Sequence, residues 1–286
     1  MSTSNHEPPT RRPRKKVKRW QKILFYWRFP LVIVLILMIL SAVVVQVIAG
    51  KLSAPAAAND TAKQQEGDAA PAETLTYQDA VIDALQAEEA EIHDLVCLTK
   101  EDGGVTYDNE TDRVLLVFWT KQADAFVKDE QVTLDADTYA YSDLELAAWG
   151  KENSDALKNQ QAARLCQLFG MPEGSEGSTF VVAWVTPERI LRAAYQPDAQ
   201  IGKMTLAFEE SVDQDFISFF EDEIQNNYFT NPRPWTRLGY TYDWGKTGDD
   251  HYGLTEFVIP SGVKVTVKDT FTNEEAITRL RKGTLE

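Results

Sequence analysis

A charge-free apolar run near the start of the chain, with positive charge gathered on one side of it, constrains this polypeptide more than any other feature. Phe29 to Gly50 is 22 residues without Asp, Glu, Lys, Arg or His. At about 1.5 Å per residue such a helix reaches about 33 Å, enough to cross a hydrocarbon core. Arg11, Arg12, Arg14, Lys15, Lys16, Lys18, Arg19, Lys22 and Arg28 precede it, and only Lys51 and Lys63 occupy the stretch that follows. This asymmetry predicts an N-terminus in the cytoplasm and the bulk of the chain outside. Trp20, Phe25, Tyr26 and Trp27 suit the aromatic belt at the inner interface. The expected organisation is a basic cytoplasmic tail (1–28), a transmembrane helix (29–50), a disordered tether (51–74) and an acidic extracytoplasmic domain (75–286), placed at a plasma membrane. The lipid bilayer is then the partner of residues 29–50, and the tail is drawn to anionic head groups. A signal peptide cleaved after Ala58 competes with this reading. The apolar run exceeds the usual core of about 7–15 residues, which favours an uncleaved anchor.

Charge changes sign across the anchor. With the ten basic residues and one acidic residue of 1–58 set aside, the totals of 29 Lys+Arg and 44 Asp+Glu leave 19 and 43, a formal charge of −24. Such a surface repels nucleic acid and anionic lipid and keeps an exposed domain soluble. It also attracts cations or a basic partner. Cys97 and Cys166 are the only cysteines. Outside the cytoplasm they could form a disulfide, and their apolar flanks suit two buried thiols as well. No metal-ligand spacing occurs, and neither a metal nor another cofactor is expected.

The remaining pattern predicts an α+β domain with a β-rich C-terminal part. Leu52 to Thr74, rich in Ala, Pro and acidic residues and lacking aromatics, has the composition of a tether. Thr76 and Asp79 predict a capped helix from Tyr77 towards Glu91. Ile92 to Thr99 reads as a strand. Val114–Thr120 (VLLVFWT) and Phe180–Val185 (FVVAWV) are short continuous apolar runs, the mark of buried central strands. Their likeness raises an internal duplication. Gln131–Leu134 and Thr138–Tyr141 are expected as strands, Asp155–Phe169 as a helix ended by Gly170 and Pro172, and Glu188–Tyr195 as a short helix. Lys203–Phe208 is expected as a strand, followed by a helix capped by Ser211. Thr236–Trp244, Thr255–Ile259 and Val263–Val267 read as strands, and Asn273–Leu280 as a last helix. Helices and strands mix without a βαβ rhythm.

Chemistry is concentrated, by composition, in residues 232–257, PRPWTRLGYTYDWGKTGDDHYGLTEF. On a strand Tyr240 and Tyr242 share one face, and Thr241 and Asp243 the other. Aromatic faces beside carboxylates suit sugars, peptides or cations, so Arg237, Tyr240, Tyr242, Asp243, Trp244 and Glu256 are the candidate ligand-binding residues. Carboxylate pairs for glycoside hydrolysis can be drawn from Asp243, Asp249, Asp250 and Glu256, and their separation in space decides whether they act. Neither His93 nor His251 accompanies a nucleophile or zinc motif, and no Gly-rich phosphate cradle is present. No catalytic residue is assigned, and the balance leans away from an enzyme.

Two segments add a resemblance. RLCQLFGMPEGSEGSTFVVAWVTPERILRAAYQPD (Arg164 to Asp198) and PWTRLGYTYDWG (Pro234 to Gly245), followed by Glu256-Phe257-Val258-Ile259, resemble parts of a family of uncharacterised bacterial secreted or membrane-anchored proteins. The resemblance implies bacterial origin and secretion and brings no active site. This chain has Arg192-Ala193 where that family has Arg-Pro. The expected function is a single-pass binding or scaffolding module of the cell envelope, with an envelope or protein partner and no nucleic acid. The alternative is a membrane-tethered, carboxylate-dependent hydrolase of envelope polymers.

Overall fold

The computed structural model describes residues 75–285, so the tail, the apolar run 29–50 and the tether lie outside the described residues. Among those residues no helix is long and apolar enough to cross a membrane. The described part is α+β, built on an eight-stranded antiparallel sheet. The strands are β1 (Tyr107–Asp108), β2 (Arg113–Thr120), β3 (Gln131–Thr133), β4 (Thr138–Ser142), β5 (Thr179–Val185), β6 (Tyr240–Tyr242), β7 (Tyr252–Ile259) and β8 (Lys264–Thr272). Their spatial order is β3-β8-β5-β2-β4-β7-β6, with β1 paired to β2 beside β4. The α-helices are α1 (Tyr77–Asp83), α2 (Asp143–Glu152), α3 (Ser154–Gln160), α4 (Ala162–Leu168), α5 (Gln214–Gln225) and α6 (Asn273–Leu280).

The two apolar runs are neighbours at the centre. β2 pairs with β5 without a break from Val114↔Val185 to Thr120↔Thr179. Successive side chains point to opposite faces of a sheet, and both faces here are covered. Val114, Leu116 and Phe118 join Val181, Ala183, Phe257, Val265 and Val267 in one core, closed by Leu98, Phe126, Leu134 and Ile190 from connecting segments. Leu115 and Val117 join Phe180, Val182 and Phe271 in a second, beneath Leu146, Trp149, Leu157, Leu165, Leu168 and Leu280 of the helices. Burial on both sides explains why these strands show no polar alternation.

The β2–β4 ladder is short. It holds Leu116↔Ser142 and Val117↔Tyr141 and then stops. β4 continues against β7, from Tyr141↔Glu256 to Thr138↔Ile259, while β2 continues against β5 to Thr120. The two strands therefore part company like the arms of a V beyond Val117 and Tyr141.

Several local expectations are corrected. Residues 92–99 form no strand. Leu95 and Leu98 donate their N–H groups to Gly202 and Ala199, and the buried Arg192 guanidinium binds the carbonyl of Val96. The segment satisfies its polar backbone through a loop and a side chain instead of a ladder. Residues 203–208 form no strand either, and 188–195 reduces to a 3-10 turn at Pro187–Arg189 followed by irregular chain. The first helix ends at Asp83 with a cap at Ala84, well short of Glu91. The helix expected at 155–169 is two, α3 and α4, broken at Gln161 where φ is 51° and ψ −125°. Asp213, not Ser211, caps α5. Of Thr236–Trp244 only Tyr240–Tyr242 is strand. Helix α2 has no counterpart among the expectations. Ser142 caps it by accepting a hydrogen bond from the Glu145 N–H. Its Gly150 lies against Leu280, where a Cβ would come within 2.7 Å of the Leu280 Cβ.

Candidate functional site

Strand β6 is three residues long, and its alternation sorts the expected site residues. Tyr240 and Tyr242 project to one side, where they meet α1, the irregular segment 86–93 and the loop 248–251 around a groove of about 790 Å³. His93 lies edge-on to Tyr240, ring centroids 5.3 Å apart, and 4.7 Å from the ring of Tyr252. Tyr240 and Tyr252 are themselves 4.9 Å apart. His251 stacks on Tyr242 at 4.6 Å and 14°. Aromatic faces of this kind carry negative charge density that attracts cations.

The groove wall is acidic. Asp83, Glu88, Glu91, Asp249 and Asp250 all line it. Some of this charge is already engaged. The Tyr242 hydroxyl donates to Asp83 at 2.7 Å, and Asp250 lies 3.5 Å from His93 Nε2 and 3.8 Å from Lys246 Nζ. The Tyr240 hydroxyl is fixed by the Glu91 carbonyl at 2.9 Å. Burial raises the Glu91 carboxyl above its ordinary range, with Asp83 and Glu88 adding repulsion. Burial likewise raises the phenols of Tyr240 and Tyr242, so both rings are neutral at physiological pH. The arrangement is a negative, aromatic-floored depression suited to a cation.

The other expected residues lie elsewhere. Asp243 is fully buried and takes both Nη groups of Arg164, at 2.8 and 2.7 Å. Arg164 in turn sits over the Trp149 ring at 4.8 Å. This bidentate pair ties α4 to the chain after β6, and it is structural. Trp244 is buried and donates its indole N–H to the Met171 carbonyl at 3.1 Å. Arg237, at φ 59°, reaches the Leu85 carbonyl at 2.9 Å and packs over the Tyr228 ring at 5.4 Å. Glu256 lines a different cavity, at the mouth between β2 and β4. The four carboxylates considered for hydrolysis thus occupy three surroundings.

Comparison with known protein families, curated proteins and solved structures gives no significant match. The geometry alone therefore carries any functional reading. The sequence places Tyr240, Tyr242, Asp249, Asp250 and His251 in one stretch, but not their companions from upstream. His93 falls in a segment that reads as a strand, and Asp83, Glu88 and Glu91 in one that reads as a helix. The signal that could have found them is the clustering of acidic residues between 83 and 91 just before a histidine. Among the described residues no group of three or more His, Cys, Asp or Glu side chains is placed to hold a metal ion. Cys97 and Cys166 are both free thiols. Burial pushes the Cys166 thiol up to about 11, which makes it unreactive at neutral pH.

Proposed function

We propose that the chain is a single-pass, membrane-anchored binding module of the cell envelope whose acidic, aromatic-floored groove takes a cationic segment of a partner protein. Residues 29–50 are the anchor, the basic tail lies in the cytoplasm, and the described domain faces outward. The observation that carries the binding reading is the convergence of Tyr240, Tyr242, His93 and His251 with five carboxylates around one depression. Cation–π attraction and carboxylate hydrogen bonds act on the same ammonium or guanidinium group. The surplus of acid over base in the outer part speeds approach of a basic partner. A binding role requires no group with the alignment of a nucleophile or general base.

The test uses the full chain in detergent and a short Lys/Arg-rich peptide, followed by calorimetry. Saturable binding that weakens as salt rises is expected. The double variant Glu88→Lys/Asp249→Lys changes two groove carboxylates; Glu88 also belongs to the capping box of the turn Glu89–Glu91, so Asp249→Lys alone is measured beside it. The double variant should lower affinity by about tenfold or more. Equal affinity in the parent and this variant sinks the assignment of the groove.

A further inference from the structure

The V-shaped opening between β2 and β4 encloses a cavity of about 330 Å³, near the lower bound for small-molecule sites. Its walls are aromatic. Tyr141 stacks on Phe169 at 4.4 Å and 11°, and Trp119 lies 5.7 Å from the same Phe169. Phe118, Phe126 and Tyr139 add to the lining. Phe118 and Ala140, then Trp119 and Tyr139, would continue the register after the last β2–β4 pair, and neither couple is paired. The ladder is interrupted where a ligand would sit.

The polar end of the cavity is what gives it chemistry. Tyr141 and Glu256 are directly opposite each other on β4 and β7, so their side chains emerge on one face. Among the described hydrogen bonds, neither the Tyr141 hydroxyl nor the Glu256 carboxyl has a partner, and neither atom set is sealed from the cavity. The neighbouring groups are occupied. Tyr139 donates its hydroxyl to Glu223. Arg233 contacts the same Glu223 at 3.5 Å, donates Nε–H to Asn227, and lies over the Tyr139 ring at 4.7 Å. Trp119 spends its indole N–H on Asn273 at 2.8 Å. Glu256, Glu223 and Arg233 leave one carboxylate in excess when both acids are ionised, and Asp135 and Asp137 at the rim deepen the negative field.

We propose that this cavity is a second binding site, distinct from the acidic groove, for a small aromatic amine. The flat body of the ligand packs against the aromatic lining, and its ammonium group is bound by Glu256 with the Tyr141 hydroxyl beside it. An amine fits because Glu256 lacks a donor. Burial holds the Glu256 carboxyl up at about 7, against the pull of Arg233 and with Glu223 adding to the rise. A cation at that place stabilises the ionised form. A neutral analogue forgoes this gain, and an anion is repelled.

The experiment titrates the full chain in detergent with phenethylamine, 2-phenylethanol and phenylacetate, read by calorimetry and by Trp fluorescence. Phenethylamine should bind at least about tenfold more tightly than the alcohol, with phenylacetate weakest. Glu256→Gln keeps the shape and should erase the preference of amine over alcohol. Tyr141→Phe keeps the stack on Phe169 and should weaken the amine several-fold, which provides a second reading should the Gln variant misfold. The groove variant Glu88→Lys/Asp249→Lys is titrated in parallel: amine binding that persists in it and is lost in Glu256→Gln belongs to this cavity, whereas amine binding lost only in the groove variant belongs to the groove and overturns the site. Absence of saturable binding at millimolar amine, or a preference that survives Glu256→Gln, overturns the site.

Discussion

Asp243 and Glu256 belong to one carboxylate-rich stretch of sequence, yet their surroundings give them opposite characters. Asp243 is paired with Arg164 through two charge-assisted bonds, and removing either partner would strand a buried charge. Glu256 has no such partner, and its carboxyl is pushed from 4.5 up to about 7, chiefly by burial. The consequence for stability has a definite sign. The folded chain keeps this proton where the unfolded chain has released it, so the contribution is most favourable below about pH 4.5. It declines as pH rises above 4.5 and is lost as pH passes through about 7. The span is of order 3 kcal/mol. Glu256→Gln should therefore flatten the fall in stability between about pH 5 and pH 8 and raise the melting temperature more at the upper end. Thermal unfolding of parent and variant across that range checks it, and parallel curves would remove Glu256 from the account. None of this was legible in the sequence. Both are acids next to an aromatic residue in one stretch, and only the register of β4 on β7 and the position of Arg164 separate them.

At the scale of elements, legibility followed the locality of the cause. β2, β5 and α6 were readable because their signals are local. The first two are continuous apolar runs, and the third carries a capping box in which Thr272 and Glu275 exchange hydrogen bonds. Helix α2 carries a local signal too, Ser142 followed by Glu145, but Gly150 within it is a poor helix former. The 92–99 segment failed for a different reason. Its apolar run Leu95–Leu98 is that of a strand, but the groups that satisfy its backbone are on Arg192, Thr255 and the 199–202 loop. The break at Gln161 was likewise hidden, since no glycine or proline marks it. A side chain at φ 51°, ψ −125° occupies a region that favours glycine and costs of order 1–3 kcal/mol. Gln161→Gly should release part of that strain and, after the added entropy of glycine in the unfolded chain, stabilise the domain by about 1 kcal/mol. A rise in the urea midpoint at unchanged slope is the expected result. A lower midpoint would show that the junction is not strained.

Across the whole described molecule, the α+β class was readable from the absence of a βαβ rhythm, while the strand order was not. The order β3-β8-β5-β2-β4-β7-β6 depends on pairings far apart in sequence, such as Val114 with Val185. The likeness of VLLVFWT and FVVAWV, which raised a duplication, has a plainer physical source. The two strands pair with each other at the centre of one sheet and are buried on both faces. The N-terminal irregular segment is joined to this sheet by Thr255, which accepts from the Val96 N–H at 3.1 Å, by the Tyr240 hydroxyl on the Glu91 carbonyl, and above all by one buried arginine. Arg192 lies over the Phe257 ring at 5.3 Å. It donates to the carbonyls of Val96 at 2.5 Å, Asp198 and Ile201 at 2.6 Å, and Ala199 at 3.2 Å. Burial draws its guanidinium down to about 10, still charged at neutral pH. The His93 wall of the acidic groove continues directly from this segment, so the groove depends on a residue that does not line it. Arg192→Leu fills similar space and leaves four carbonyls without their donor, at an expected cost of about 4 kcal/mol or more. Hydrogen exchange should show Leu95 and Leu98 amides losing protection before those of β2 and β5, because the first depend on the loop that Arg192 holds. Simultaneous loss at all four positions would instead make Arg192 part of the central core's own cooperativity.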